Sequence, residues 1–215
     1  MMKPDKQTLF HIINVVVWVV ALVGVIIALT HSYRKPDIKE LKVYEEMTEL
    51  KYNDVKYELV TSIDNYIKKV APTSCLNGIT VLDNCIAYDI DICFVLAQGE
   101  KESHFGTQGL ARKTNSVFNV FAYDGLNYGE ICKKGKYHSP DASVKPYMQL
   151  LQDRYLVDKT EYDLMIEYVD KNGQRYASAT DYEDSLRNIY TRIKNTTAID
   201  SLTQELKKYS IILGK

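Results

Sequence analysis

The sequence has no C-x-x-C pair, no glycine-rich phosphate loop and no long block of like charge. Its four cysteines, Cys75, Cys85, Cys93 and Cys132, stand singly, with no histidine close enough to complete a zinc site. Cys85 and Cys93 sit among apolar residues and read as small buried hydrophobes. Four cysteines allow three ways of forming two bridges, and the spacing does not choose among these or free thiols. His138, Asp141 and Ser143 are neighbours, but without a G-x-S-x-G elbow they do not make a serine hydrolase. His104 and His138 read as surface or loop residues. A net charge of −1 is uninformative, but it gives no basic stripe for nucleic acid, and no nucleic-acid partner is expected. No internal repeat or low-complexity tract is visible, and no metal or cofactor is expected.

What is present begins with a long apolar run. From Ile12 to Leu29 only Asn14 is strongly polar, and no formal charge falls between Lys6 and Arg34. At about 1.5 Å per residue, such a helix with short flanks crosses a bilayer core. The run is longer than a signal-peptide core, and Ile27-Ala-Leu-Thr30 offers no A-x-A cleavage site. We therefore expect residues 1–33 to be an uncleaved anchor that meets the membrane through residues 9–31. Lys3 and Lys6 precede the run, whereas Arg34, Lys35, Lys39 and Lys42 follow it. Counted alone, these charges place the C-terminal part on the cytoplasmic side. Long domains weaken that rule, and the function argued below favours the outside.

Residues 34–58 are rich in lysine and glutamate, with Ile38, Leu41, Tyr44, Met47 and Leu50 recurring every third residue. This reads as a helical stalk. Homo-oligomer or virion assembly through it is one expectation, although the pattern is short and is not a true heptad. Residues 59–215 are long enough for one domain with a sizeable core. There, Leu59, Ile63, Ile67 and Val70 fit one helix face that Pro72 ends. Ile79–Ala87 is a second amphipathic helix. Ile92 to about His104 is apolar nearly all round, as in a helix enclosed by protein. Val117, Phe118, Val120, Phe121 and Tyr123 with Asp124-Gly125 read as a hairpin, the basis for expecting a small β-rich or irregular lobe between Asn115 and Tyr137. Helices follow from Ser139-Pro-Asp141, from about Tyr162 to Val169, from Asp181 to Lys194 and from Ile199 to Tyr209. The expected fold class is mainly α (α+β), a helical domain with a small β lobe.

Chemistry concentrates at the end of the enclosed helix. Glu100 and Glu102 are two residues apart, so on a helix they point about 200° apart and cannot form a close pair. A carboxylate at the end of an apolar helix is costly unless the site uses it. Helical geometry alone does not say which of the two enters a site. The 17 tyrosines offer an apolar face and a hydroxyl, which suits sugar stacking and ordinary packing alike.

Leu96-Ala-Gln-Gly-Glu-Lys-Glu-Ser-His-Phe-Gly106 resembles the L-A-Q-x-x-x-E-S-x-W/F-G motif of the glucosaminidase family of peptidoglycan hydrolases, a lysozyme-like group. Four further segments resemble it in the same order. They are Tyr66–Pro72, Gly109–Phe118, Tyr137–Val144 with Tyr147, and Arg175-Tyr-Ala-Ser-Ala-Thr-Asp-Tyr182. The resemblance covers about Leu59 to Leu213 and implies a lysozyme-like fold. It also implies cleavage of β-1,4 bonds in peptidoglycan glycan strands, most simply after N-acetylglucosamine. It makes Glu102 the general acid and Tyr176 a site tyrosine, with Gln98, Ser103, Phe105, Phe118 and Asn119 around the substrate. A second carboxylate, where the family has one, falls to Asp124 or Glu130. If neither serves, the sugar's own 2-acetamido group or 6-hydroxyl could attack, as in substrate-assisted hydrolases or lytic transglycosylases. Asn119 stands where the family often has glycine, and Asn115-Ser116 replaces Asn-Asn. The readings from other classes are a wall-binding or virion structural protein without activity and a membrane-anchored scaffold. The Lys/Tyr/Ile/Asn-rich composition fits a low-G+C bacterium or its phage, where a lysis or virion setting applies.

Overall fold

The computed structural model describes residues 38–121 and 126–215. The expected anchor, residues 1–33, lies outside them, as does Asp124. Among the described residues no helix is long and apolar enough to cross a membrane. The chain divides into two units, one ending at Met47 and one comprising Thr48–Lys215. In the first, the described residues 38–47 are helical, and Ile38, Leu41, Val43, Tyr44 and Met47 are exposed.

Helix α1, Ile38–Val70, shows no break at the expected boundary near residue 58. In the second unit it buries Thr48, Val55, Leu59, Ile63, Tyr66 and Ile67. The first three of these are seven and four residues apart, and the rest keep the spacing of a single helix face. The unit then runs through α2 (Gly78–Tyr88), α3 (Ile92–Ser103), α4 (Ala111–Thr114) and α5 (Tyr128–Gly135). A 3-10 turn, Asp141–Ser143, leads into α6 (Val144–Leu150) and a π-turn, Leu151–Tyr155. The short α7 (Glu161–Leu164), then α8 (Tyr182–Thr196) and α9 (Ile199–Leu213), complete it.

Helix α3 is the axis of this unit. Its residues from Ile92 to Glu100 are all buried, and α2, α8 and α9 pack against it. Asp91 caps its start by accepting from Phe94 N at 2.9 Å, which satisfies one of the free N–H groups there. At its other end His104, Phe105 and Gly106 all have positive φ, at 46°, 52° and 84°. A non-glycine residue in this region costs about 1–2 kcal/mol, so the turn must be held by its surroundings. The Phe105 ring is buried edge-on to Tyr66, and Ser74 Oγ donates to Phe105 O at 2.7 Å. Phe105 N also donates to Gly99 O, closing the helix end.

The mainly helical class holds, and of the expected β-rich or irregular lobe the described residues are irregular rather than β. Among the described residues the only β pairing is the isolated antiparallel bridge between Val169 and Arg175. Residues 115–121 form tight turns instead, with Asn119 and Phe121 at positive φ, and helix α5 follows. A strand cannot pass through two left-handed residues two apart, so Val117, Phe118 and Val120 bury themselves from a turn. The helix expected over 162–169 is likewise only the one-turn α7, followed by turns.

Helix α5 braces this turn at Gly135, where an added Cβ would lie 2.7 Å from Val120 O. We expect Gly135→Ala to lower stability by about 1–3 kcal/mol, because a backbone carbonyl must move to admit the methyl. The measurement is the urea midpoint, with an unchanged slope showing that the same fold unfolds.

Candidate active site

The two glutamates of α3 have opposite surroundings. Glu100 is 8% exposed, accepts a hydrogen bond from Tyr66 Oη and forms an ion pair with Arg192 of α8. Its oxygens are committed to holding α1 and α8 on α3. Glu102, on the opposite side, is half-buried and lines a cleft of about 660 Å³. Among the described residues that line this cleft, Glu102 is the only carboxylate.

Glu102 has two partners. Asn119 Nδ2 donates to its Oε2 at 3.1 Å and to its backbone O at 2.9 Å. Tyr182 Oη, at the first residue of α8, bonds its Oε1. Burial raises the Glu102 carboxyl above the ordinary range, and the bonds from Tyr182 and Asn119 and the charge of Lys101 oppose that rise only in part. A protonated carboxyl facing a cleft is what general acid catalysis needs. Asn119 reaches it because its backbone is left-handed, φ 49°, a conformation asparagine tolerates better than most residues. The asparagine at this position thus supplies an amide donor to the carboxyl.

The other expected site residues are distributed more widely. The Tyr176 ring lines the cleft, but its hydroxyl donates to Phe118 O at 2.8 Å. Gln98 is fully buried, and its Oε1 accepts from both Tyr147 and Tyr168, so it belongs to the core rather than to the groove wall. The Ser103 hydroxyl donates to Val117 O at 2.6 Å and accepts from Gly106 N, tying the turn after α3 to the segment carrying Asn119. Phe105 and Phe118 are also buried, Phe118 stacked on Tyr147 at 3.8 Å. Both press on Gly99, where a Cβ would meet their rings at 3.1 and 3.3 Å. Glu130 is exposed and closes a capping box with Asn127 at the start of α5, and it does not line the cleft.

Two features were not anticipated. Tyr182 touches the acid directly, although it ends the same Arg175–Tyr182 segment that drew attention to Tyr176. Residues 170–181 form a strap along the cleft. Asp170 receives Asn172 N, Gln174 N and the Arg154 guanidinium, which closes the turn at its start. Arg175 makes two hydrogen bonds to Glu183 at 2.9 and 2.8 Å, which fixes its end beside Tyr182. Gln174, Arg175, Ala177, Ser178 and Ala179 from the strap, with Tyr155 and Leu150, complete the cleft wall.

With this geometry in hand, a family model described as "Glucosaminidase: Mannosyl-glycoprotein endo-beta-N-acetylglucosaminidase" matches residues 80–195, more than half of the chain. The matched span runs from α2 through α8 and contains Glu102, Asn119, Tyr176 and Tyr182. No curated protein matches the chain.

The two glutamates should separate in experiment. Glu100→Gln weakens a buried, charge-assisted tie and should lower stability by about 1–3 kcal/mol. Glu102→Gln should do the reverse in a pH-dependent way. The folded carboxyl titrates above its unfolded value, so stability is full below the unfolded value and is lost as pH rises through the folded one. Denaturation at pH 7 should therefore find Glu102→Gln at least as stable as the parent. That advantage should vanish in acid.

Proposed function

The chain belongs to the glucosaminidase family, and from that premise we propose that it is a peptidoglycan hydrolase of endo-β-N-acetylglucosaminidase type, with Glu102 as general acid. The matched domain supports a glycoside hydrolase directed at the cell wall. The single observation that carries the finer reading is the position of Glu102, whose carboxyl burial pushes upward and which faces the cleft as its only carboxylate among the described residues.

In this reading a glycan strand lies along the cleft, with sugar faces against Tyr155 and Tyr176. Protonated Glu102 gives its proton to the glycosidic oxygen as the bond to the anomeric carbon lengthens. The leaving sugar departs as an alcohol, and the ring left behind carries oxocarbenium charge. Either water adds to it, giving its proton to the Glu102 carboxylate and leaving a reducing end, or the sugar attacks first. The 6-hydroxyl, with its proton going to Glu102, closes a 1,6-anhydro ring. The 2-acetamido oxygen closes a ring that water then opens, its proton again going to Glu102.

The same proposal places the apolar run of residues 9–31 in a membrane, with the catalytic domain outside the cytoplasm. The uncharged stretch between Lys6 and Arg34 supports it. Carbonate-resistant sedimentation of the full chain, with residues 59–215 open to added protease on intact cells, is the expected result.

The activity is tested by digesting sacculi with residues 36–215 and identifying the products by mass spectrometry. Cleavage after N-acetylglucosamine is expected. A reducing end shows net hydrolysis and a 1,6-anhydro ring shows 6-hydroxyl attack. Glu102→Gln should lower the rate by at least about 10²-fold, whereas Glu100→Gln should retain it. Because the acid must be protonated, activity should fall as pH rises through the elevated Glu102 value. Full activity in Glu102→Gln would remove the assignment.

A further inference from the structure

The strap delivers more than a wall to the cleft. We propose that Tyr182 is a positioning residue for the acid, its hydroxyl fixing the proton of Glu102 on Oε1 and returning a hydrogen bond to that oxygen once the proton has left. The inference rests on the reading of Glu102 as general acid.

The donor inventory carries the argument. Asn119 Nδ2 can only donate, so Oε2, at 3.1 Å, is held as an acceptor whether or not the carboxyl is protonated. The proton therefore belongs on Oε1, the oxygen that meets Tyr182 Oη. A phenol hydroxyl can accept from a carboxylic acid, but its charge-assisted bond to a carboxylate is the stronger, so it holds both forms and favours the ionised one. An ammonium in its place, which can only donate, would serve the ionised form alone.

The hydroxyl is also held where it is. Tyr182 is 4% exposed, with its ring 5.9 Å from Tyr168 and 6.0 Å from Tyr176. The next residue, Glu183, is locked by Arg175 and by Tyr168 N. Burial and the nearby Glu102 charge push the Tyr182 phenol well up, so it remains a donor across the working range.

The charged and titratable groups around Glu102 are few. Lys101 on α3 lies 5.8 Å from the Tyr182 ring centroid, and Tyr168, Tyr176 and Tyr182 face the carboxyl from the strap side. Arg175, on the cleft wall, is neutralised by Glu183. Tyr182 is thus the group whose loss most directly changes the proton on Glu102 without removing a formal charge.

The test is Tyr182→Phe, which keeps the ring and removes the hydroxyl. Losing the donor favours the protonated acid, so the alkaline limb of kcat/KM should move up by about 1 pH unit. The rate at the optimum should fall roughly tenfold, with KM little changed. The carboxyl 13C titration of Glu102 should move in the same direction, independently of turnover. Site-specific 3-fluorotyrosine at position 182, a stronger donor, should move both the other way. A folded Tyr182→Phe protein with limb and titration unmoved would overturn the proposal. If that variant does not fold, unmoved values in the fluorotyrosine protein would do the same. A parent protein that cleaves no glycan would defeat the functional reading alone, because the 13C titration still decides the role of Tyr182.

Discussion

One helix carries two carboxylates two residues apart, and the rest of the unit is arranged around their divergence. A separation of about 200° sends them to opposite sides of α3. One side faces α1 and α8, where Glu100 is neutralised by Arg192 and Tyr66. The other faces the cleft, where Glu102 has the hydrogen-bond donors Asn119 and Tyr182 and the charge of Lys101 nearby. Burial raises the Glu102 carboxyl toward the proton, and its hydrogen bonds and the charge of Lys101 oppose that rise only in part. Which partners the fold supplies thus decides which glutamate ties helices together and which faces the cleft.

That supply depends on conformations of some energetic cost. The turn at His104, Phe105 and Gly106 reverses the chain immediately after Glu102, and Asn119 sits in the same left-handed region opposite it. Ser103 joins the two, with its hydroxyl bound to Val117 O and to Gly106 N. Several kilocalories of local backbone strain, at about 1–2 kcal/mol per non-glycine residue, are offset by burying Phe105, Val117 and Phe118 beneath the site. The aromatic residues singled out in the sequence are therefore largely the floor that holds the acid in place. Their chemistry is packing, and the polar atoms that reach Glu102 come from Asn119 and Tyr182.

The sequence made the enclosed helix legible, because a segment apolar on every side has nowhere to go but the interior. It also limited the acid to one of two residues, and the ordered family motifs then chose Glu102. Three things could not be read there. The Arg192 partner of Glu100 lies 92 positions away, and no local pattern announces such a pair. The turns at 115–121 carry the apolar residues of a hairpin pattern, yet left-handed backbone at Asn119 and Phe121 overrides that pattern. Tyr182 sits on the buried face of an amphipathic helix with Leu186 and Ile193, so its ring reads as core. Its ring is indeed core, and only the hydroxyl belongs to the site. A tyrosine divides between the two roles atom by atom, which a residue-level pattern cannot express.

The strap extends this logic to the cleft wall. Tyr176 and Tyr182 are six residues apart on one segment, but their hydroxyls do different work. Tyr176 Oη is spent on Phe118 O, which anchors the strap to the turn bearing Asn119, while its ring faces the cleft. Tyr182 Oη goes to the acid. The two ends of one segment therefore grip the two sides of Glu102: Tyr176 through the backbone next to Asn119, and Tyr182 directly. Any displacement of the strap would loosen both contacts together. The Arg175–Glu183 pair pins its end beside Tyr182, although neither residue touches the carboxyl.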